Sequence, residues 1–359
     1  MSIKIKSPGF EGQTFYVGID VHKANWKVTL RNSNIELKTF SMDPSPEQLA
    51  KHMKRNYPNG TYNSVYEAGF CGYWIHRELQ KHGFHNIIVH PCDIPSKNKE
   101  RENKSDAVDS RKLAREYNNG SLNGIYVPDE SMEAIRCMNR LLRQYTSRVT
   151  QIKNRIKGYL HFSGIKIPEE YSNRRCWSKN FINHLSSIRF NTTIHELVLS
   201  EHIDELLHIR SKKLKLLKQI SAVSKEIPII SLLKTVPGIG PLTAFALYAE
   251  LVDINRFKNL DTLAKYVGLV PSVQSSDKKI TVKGITSRHC KYLRASMIES
   301  AWVAVRNDGA LLDKYNQLLL RMKGQDAIVR IAKKLLNRIR FVWKTGSPYE
   351  KGVVEVLTT

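Results

Sequence analysis

Between residues 14 and 118, strand-like and helix-like stretches follow one another in an order that few folds accept. Three strand-like stretches come first, at 14–21, 25–31 and 35–41. Short polar connections at Lys23-Ala24 and Asn32-Ser33-Asn34 separate them and suit hairpin turns. Ser45-Pro46-Glu47 then opens a helix to about Tyr57, with Ser45 as N-cap and Pro46 in the first turn. A strand over 61–67, a helix over 72–82 stopped by Gly83, and a strand over 86–90 closed by Pro91 follow. After a lysine-rich loop at 96–104, Ser105 opens a helix to about Asn118.

An antiparallel meander followed by alternating helix and strand is the order of an RNase H-like domain. In that arrangement the end of the first strand lies beside the end of the fourth strand and the last helix. Four carboxylates sit at those places. Asp20 ends the apolar run Phe15-Tyr16-Val17-Gly18-Ile19, and Glu67 ends the run at 62–67. Asp106 and Asp109 open the helix, three residues apart and so on one face. An unpaired charge at a strand end is costly. Four carboxylates there form a hard oxygen set suited to Mg²⁺, with Mn²⁺ as its substitute, held beside a phosphodiester. His22 reads as a turn or supporting residue.

The rest of the chain is helical and basic. From Asp129, apolar residues from Met132 to Leu160 recur every three or four positions, a coiled-coil-like seam. Arg136, Arg140, Arg143, Arg148, Lys153, Arg155 and Lys157 are expected on its other faces. Gly164 and Pro168 mark a break, and a second helix runs from about 196 to 226 with a cluster of lysines at 212–218. Val236-Pro237-Gly238-Ile239-Gly240-Pro241 before an apolar helix reads as a helix-hairpin-helix turn, with Gly238 and Gly240 presenting backbone N–H groups to a phosphate. Residues 321–344 carry eight Lys/Arg against one acid, Asp326, so Arg330, Lys333, Lys334 and Arg338 read as a nucleic-acid-facing surface. A net charge of +24 over 359 residues agrees with a polyanionic partner. Five scattered cysteines without a CxxC pair argue against a zinc site or a disulfide frame. The lack of an apolar stretch near 18 residues, or of a signal-peptide core, points to a cytoplasmic protein without membrane spans.

Several short motifs complete the pattern. In the N-terminal half they are Val17-Gly18-Ile19-Asp20-Val21-His22-Lys23, Tyr66-Glu67-Ala68-Gly69 and Lys104-Ser105-Asp106-Ala107-Val108-Asp109. In the C-terminal half they are Val236-Pro237-Gly238-Ile239-Gly240, Tyr266-Val267-Gly268-Leu269-Val270-Pro271 and Gly284-Ile285-Thr286. In this order they resemble the DEDD insertion-sequence recombinases related to the Piv invertase. The resemblance implies a RuvC-like DEDD domain over 1–125, a helical coiled-coil region over 126–228 and a C-terminal transposase domain over 229–359 that supplies a catalytic serine. Ser276 takes the serine's place, with Ser275 as its neighbouring alternative; Asp277 stands where glycine is usual, and His289-Cys290 replaces a Gly-Asn step. It further implies donor and target DNA as substrates, a structured bridge RNA as guide, and a homo-oligomer, dimer or tetramer. Two other readings stay open: a RuvC-like structure-specific nuclease, and a nucleic-acid-binding protein with a degenerate site.

Overall fold

The computed structural model describes residues 9–95, 105–171, 177–276, 279–285 and 289–351, with backbone alone at 272–276 and 279–285. The chain forms two compact units, Met1–Val127 and Pro128–Thr359.

The first unit is built on a five-stranded sheet of β1 (Thr14–Val21), β2 (Trp26–Arg31), β3 (Glu36–Met42), β4 (Thr61–Glu67) and β5 (His85–Val89), in the order β3-β2-β1-β4-β5. The hairpin neighbours β1, β2 and β3 pair antiparallel, while β1–β4 and β4–β5 pair parallel through helical crossovers. This mixed sheet is consistent with the RNase H-like order. The crossover helices are α1 (Pro46–Asn56) and α2 (Trp74–Lys81), and Ser45 caps α1 through the Gln48 amide. Alternation along the strands sorts their residues into two layers. Phe15, Val17 and Ile19 of β1 pack with Leu49 and Met53 of α1 and Ile75 and Leu79 of α2. Val65 of β4 and Val89 of β5 face the other way, against Leu113 of α3 (Asp106–Asn118).

Gly18 decides how closely α3 lies on the sheet. A Cβ there would fall onto the Ser110 carbonyl and the Ala114 amide, so only glycine admits the helix backbone at this distance. Ser110 Oγ shares a 2.8 Å hydrogen bond with Thr29 Oγ1 of β2, which shares another of 2.9 Å with Thr39 of β3. Tyr16 of β1 meets Tyr117 of α3 edge to face. Tyr16, Gly18 and Asp20 thus share the layer that α3 covers.

Among its described residues, the second unit is helical apart from one strand pair. Two 33-residue helices, α4 (Glu130–Phe162) and α6 (Thr193–Lys225), run antiparallel, with α5 (Lys179–Ser187) closing one end. The expected apolar seam of α4 is largely satisfied within the chain: Ile152, Ile156 and Leu160 pack on Leu199, Ile203 and Leu206 of α6. Farther on come α7 (Pro228–Leu233), α8 (Pro241–Leu251), α9 (Leu260–Val267), the antiparallel pair β6 (Pro271–Ser276) and β7 (Lys279–Ile285), then α10 (Lys291–Asn307), α11 (Gly309–Leu319) and α12 (Gly324–Thr345). Their core is centred on the almost wholly apolar α8 and on Ile328, Ile331, Leu335 and Ile339 of α12.

Arg136 departs from the expected basic face of α4. It is buried and spans to α8, donating to the Ala249 and Glu250 carbonyls at 3.3 and 3.2 Å and lying 3.5 Å from the Glu250 carboxylate. Asn139 donates to the same carboxylate at 3.4 Å, and Arg140 approaches it at 3.6 Å. A buried carboxylate one helix away claims what sequence periodicity assigns to solvent.

Candidate metal centre

The four acids are positioned by strand register and by one helix. In the parallel ladder Ile19 stands opposite Tyr66. One step farther, Asp20 and Glu67 therefore close neighbouring strands side by side. By alternation both belong to the layer covered by α3. Asp106 and Asp109 form the first turn of that helix, capped by Ser105 through the Val108 amide, on the side that continues into Ser110, Leu113 and Tyr117. The helix N-terminus itself favours negative charge.

Ligand atoms of Asp20, His22 and Asp106 all lie within 4.8 Å of one another. His22 Nε2 is 3.1 Å from Asp20 Oδ2 and 3.6 Å from Asp106 Oδ1. Read from sequence as a turn or supporting residue, His22 has its imidazole among the carboxylates. Lys112, unremarked in the sequence, reaches to 3.8 Å from Asp109 with only 11% of its side chain exposed. The one signal for it is its position, a single turn after Asp109.

Burial raises the Asp20 carboxyl above its ordinary range; the His22 contact opposes this, and the nearby Asp106 and Asp109 charges add to it. A half-buried carboxylate crowded by others is a site that a cation relieves. Two carboxylate oxygens and an imidazole nitrogen within reach of one another are ligands that Mg²⁺ and, still better, Mn²⁺ accept.

The other expected residues lie in the second unit. Ser276 ends β6 opposite Lys279, and Ser275 stands opposite Ile280; their side chains, with Asp277, lie outside the described residues. Lys104 and Thr286 do so as well. The two glycines of the Pro-Gly-Ile-Gly turn play unequal parts. Gly238 has φ +81° and abuts the Ser300 carbonyl of α10, so packing requires glycine there. Gly240 caps α8, exposed, with open space where a Cβ would stand. Among the basic residues, Arg143 stacks over Tyr292 (4.3 Å to the ring centre) and Lys153 over Trp177 (5.3 Å). Lys333 pairs with Asp261 at 2.8 Å and Arg338 with the buried Asp308 at 3.0 Å, while Arg330 and Lys334 are exposed.

Comparison with known proteins adds to the geometry. Residues 17–164, which hold all four acids and His22, match the DEDD transposase family of IS110 type. Residues 230–317, from the Pro-Gly-Ile-Gly turn through the β6–β7 pair, match the family described as transposases of IS116/IS110/IS902. The chain carries both domains of the IS110 family of transposases. Among similar proteins, the transposase for insertion sequence element IS1533 from Leptospira borgpetersenii is 25% identical over 95% of this chain and 99% of its own length. A putative transposase, y4qE, of Sinorhizobium fredii is 27% identical over 80% of this chain and 71% of its own. The transposase of IS1111A from Coxiella burnetii is 24% identical over 75% and 74%. A transposase acts on DNA, and the +24 charge is in keeping with that. No helix among the described residues is long and apolar enough to cross a membrane.

Proposed function

We propose that this IS110-type transposase cuts and rejoins DNA with Asp20, Glu67, Asp106 and Asp109 holding divalent cations and Ser276 as nucleophile. The observation that carries the reading is the adjacency of two strand-end acids under the acidic first turn of α3, with Asp20, His22 and Asp106 already within ligand distance of one another. Mg²⁺ or Mn²⁺ bound there supplies positive charge to the scissile phosphate and to the oxygens that enter and leave it.

The chain's own groups do the rest. Gly18 and the Thr29–Ser110 bond hold α3, and so Asp106 and Asp109, against the strand ends. Lys112 balances part of the acidic charge beside Asp109. The Ser276 hydroxyl attacks the phosphorus; its oxygen gains the bond to phosphorus as the O3′–P bond breaks, leaving a 5′-phosphoserine link and a free 3′-hydroxyl. Because the phosphodiester's bond energy passes into that link, reversal against another 3′-hydroxyl exchanges strands without ATP. Serine is unreactive while neutral, which accounts for keeping it in a protein that also carries a cation site.

The same reading divides the chain after residue 125 into a helical region at 126–228 and a serine-bearing part at 229–359. It includes a structured guide RNA held on the basic helices, action in the cytoplasm, and an oligomer. Leu207 and Leu214 support the last point: they stand one heptad apart on α6 and remain exposed.

The test is a plasmid recombination assay with suicide substrates. Asp20→Asn and Ser276→Ala are expected to abolish recombination, and a trapped protein–DNA adduct is expected with wild type and Ser275→Ala but not with Ser276→Ala. An adduct that maps to Ser275 moves the nucleophile by one residue. Metal-dependent cutting without any adduct replaces the recombinase by a nuclease.

A further inference from the structure

The second unit carries an open cleft of about 1060 Å³ where the segment between α9 and β6 faces α12. Its lining has two characters. Leu269 is buried and Val270, Met322 and Val329 are half-buried, giving an apolar floor. Arg321, Arg330 and Lys334 stand exposed around it, against one lining acid, Asp326.

Part of the positive charge is used by the fold. Lys333 is paired with Asp261, Arg338 with Asp308, and Arg294 donates to the Gly268 carbonyl. Arg321, Arg330 and Lys334 have no ion-pair partner among the described residues, and they set the charge that a ligand meets.

A DNA duplex matches only half of such a surface. It turns its bases inward and offers phosphates, which suit the rim but leave the apolar floor wet. An unpaired strand offers both: phosphates for the arginines and lysine, and base faces for the aliphatic floor. The cleft also has a place relative to the proposed chemistry. Pro271 lines it and begins β6, and five strand steps of about 3.3 Å put Ser276 roughly 17 Å farther along that strand.

We propose that this cleft binds an unpaired stretch of the DNA strand being cut, bases on Val270, Met322 and Val329 and phosphates on Arg321, Arg330 and Lys334. The inference rests on the reading of the chain as a DNA-cutting transposase, and it adds which form of DNA this surface takes.

Fluorescence anisotropy on the full-length chain tests it, in EDTA so that nothing is cut. The probes are labelled oligothymidylate, an abasic deoxyribose-phosphate oligomer of equal length, oligouridylate and a duplex. Wild type is expected to bind oligothymidylate about tenfold tighter than the abasic oligomer, the scale of burying one base face against aliphatic side chains. Val329→Lys adds a positive charge to the floor. If bases rest there, it weakens oligothymidylate binding about tenfold, to the abasic level, while abasic binding holds or rises. Val329→Ser, a milder change, is expected to lose part of the same preference, and thermal melting checks that both variants fold. Lys334→Glu is expected to weaken both oligomers alike. A Val329→Lys protein that keeps its full preference for oligothymidylate overturns the proposal. So does wild type that prefers the duplex, or one that prefers oligouridylate, which would make the cleft an RNA site. The oligomer binding is read in EDTA with no cut made, and the catalytic reading is tested separately by recombination of Asp20→Asn, so neither result decides the other.

Discussion

At the scale of single residues, the candidate site depends on atoms that are absent. Gly18 has no Cβ, and this lets α3 lie close enough for its first-turn acids to meet Asp20. Gly18→Ala forces the helix backbone outward; overpacking of this kind costs about 1–3 kcal/mol. The variant is expected to melt at lower temperature and to lose recombination more completely than stability, because the acids separate before the domain unfolds. A Gly18→Ala protein with wild-type melting and activity contradicts the packing argument. Asp308 gives a second test. Burial pushes its carboxyl up, but hydrogen bonds from Tyr349, the Leu311 amide and Arg338, with the guanidinium's charge, outweigh that and hold it below the usual carboxylate range. Tyr349 in turn is pushed up to about 12 by burial and by its bond to Asp308. A carboxylate depressed in the folded state contributes stability that is complete above its unfolded value, about 3.9, and fades as pH falls through the lower folded value. Asp308→Asn is expected to cost about 1.5–3 kcal/mol at pH 7, the range for hydrogen bonds to charged groups. The gap from wild type should then narrow as unfolding is followed from pH 5 downward. A gap that stays constant to pH 3 shows that the charge is not what stabilises.

At the scale of elements, period and punctuation locate most of the first unit, since a hairpin, a cap or a glycine stop is a local event. The stretch at 14–21 is β1, Ser45 caps α1, and the helix expected from Ser105 to about Asn118 is α3. Facts that depend on a distant partner are harder to read. No pattern on α4 says that Arg136 turns inward, because its reason, Glu250, lies 114 positions away on α8. The apolar seam of α4 was legible, but its partner was not: period identifies an apolar face without naming what covers it. His22 was legible as a neighbour of Asp20 and illegible as a contact of Asp106, which requires α3 to be docked. Truncating one partner of the buried α4–α8 pair tests the reassignment. Arg136→Ala leaves Glu250 with fewer partners and is expected to destabilise the second unit by about 3–5 kcal/mol. Arg148→Ala, on the exposed face of the same helix, should change stability by less than about 0.5 kcal/mol. Equal effects on stability from the two variants would return Arg136 to the solvated face.

For the whole molecule, charge and fold describe different parts of the job. The sheet and α3 concentrate acids at one place, while the chain as a whole carries a net +24. Binding of nucleic acid through phosphates releases counterions, so affinity is expected to fall by about 10³–10⁵ between 50 and 200 mM salt if some six to ten phosphates are engaged. A salt-insensitive affinity would contradict a phosphate-tracking surface. The account as a whole turns on whether the acids hold a cation, and titrating Mn²⁺ into the full-length chain while following the free ion by electron paramagnetic resonance measures that without needing a DNA sequence. Wild type is expected to take up Mn²⁺, Mg²⁺ to compete it off, and Asp20→Asn and Asp106→Asn to lose the uptake while keeping wild-type melting curves. Uptake that is unchanged in both variants would show that the ion sits elsewhere, and the strand-end acids would no longer be the cutting centre.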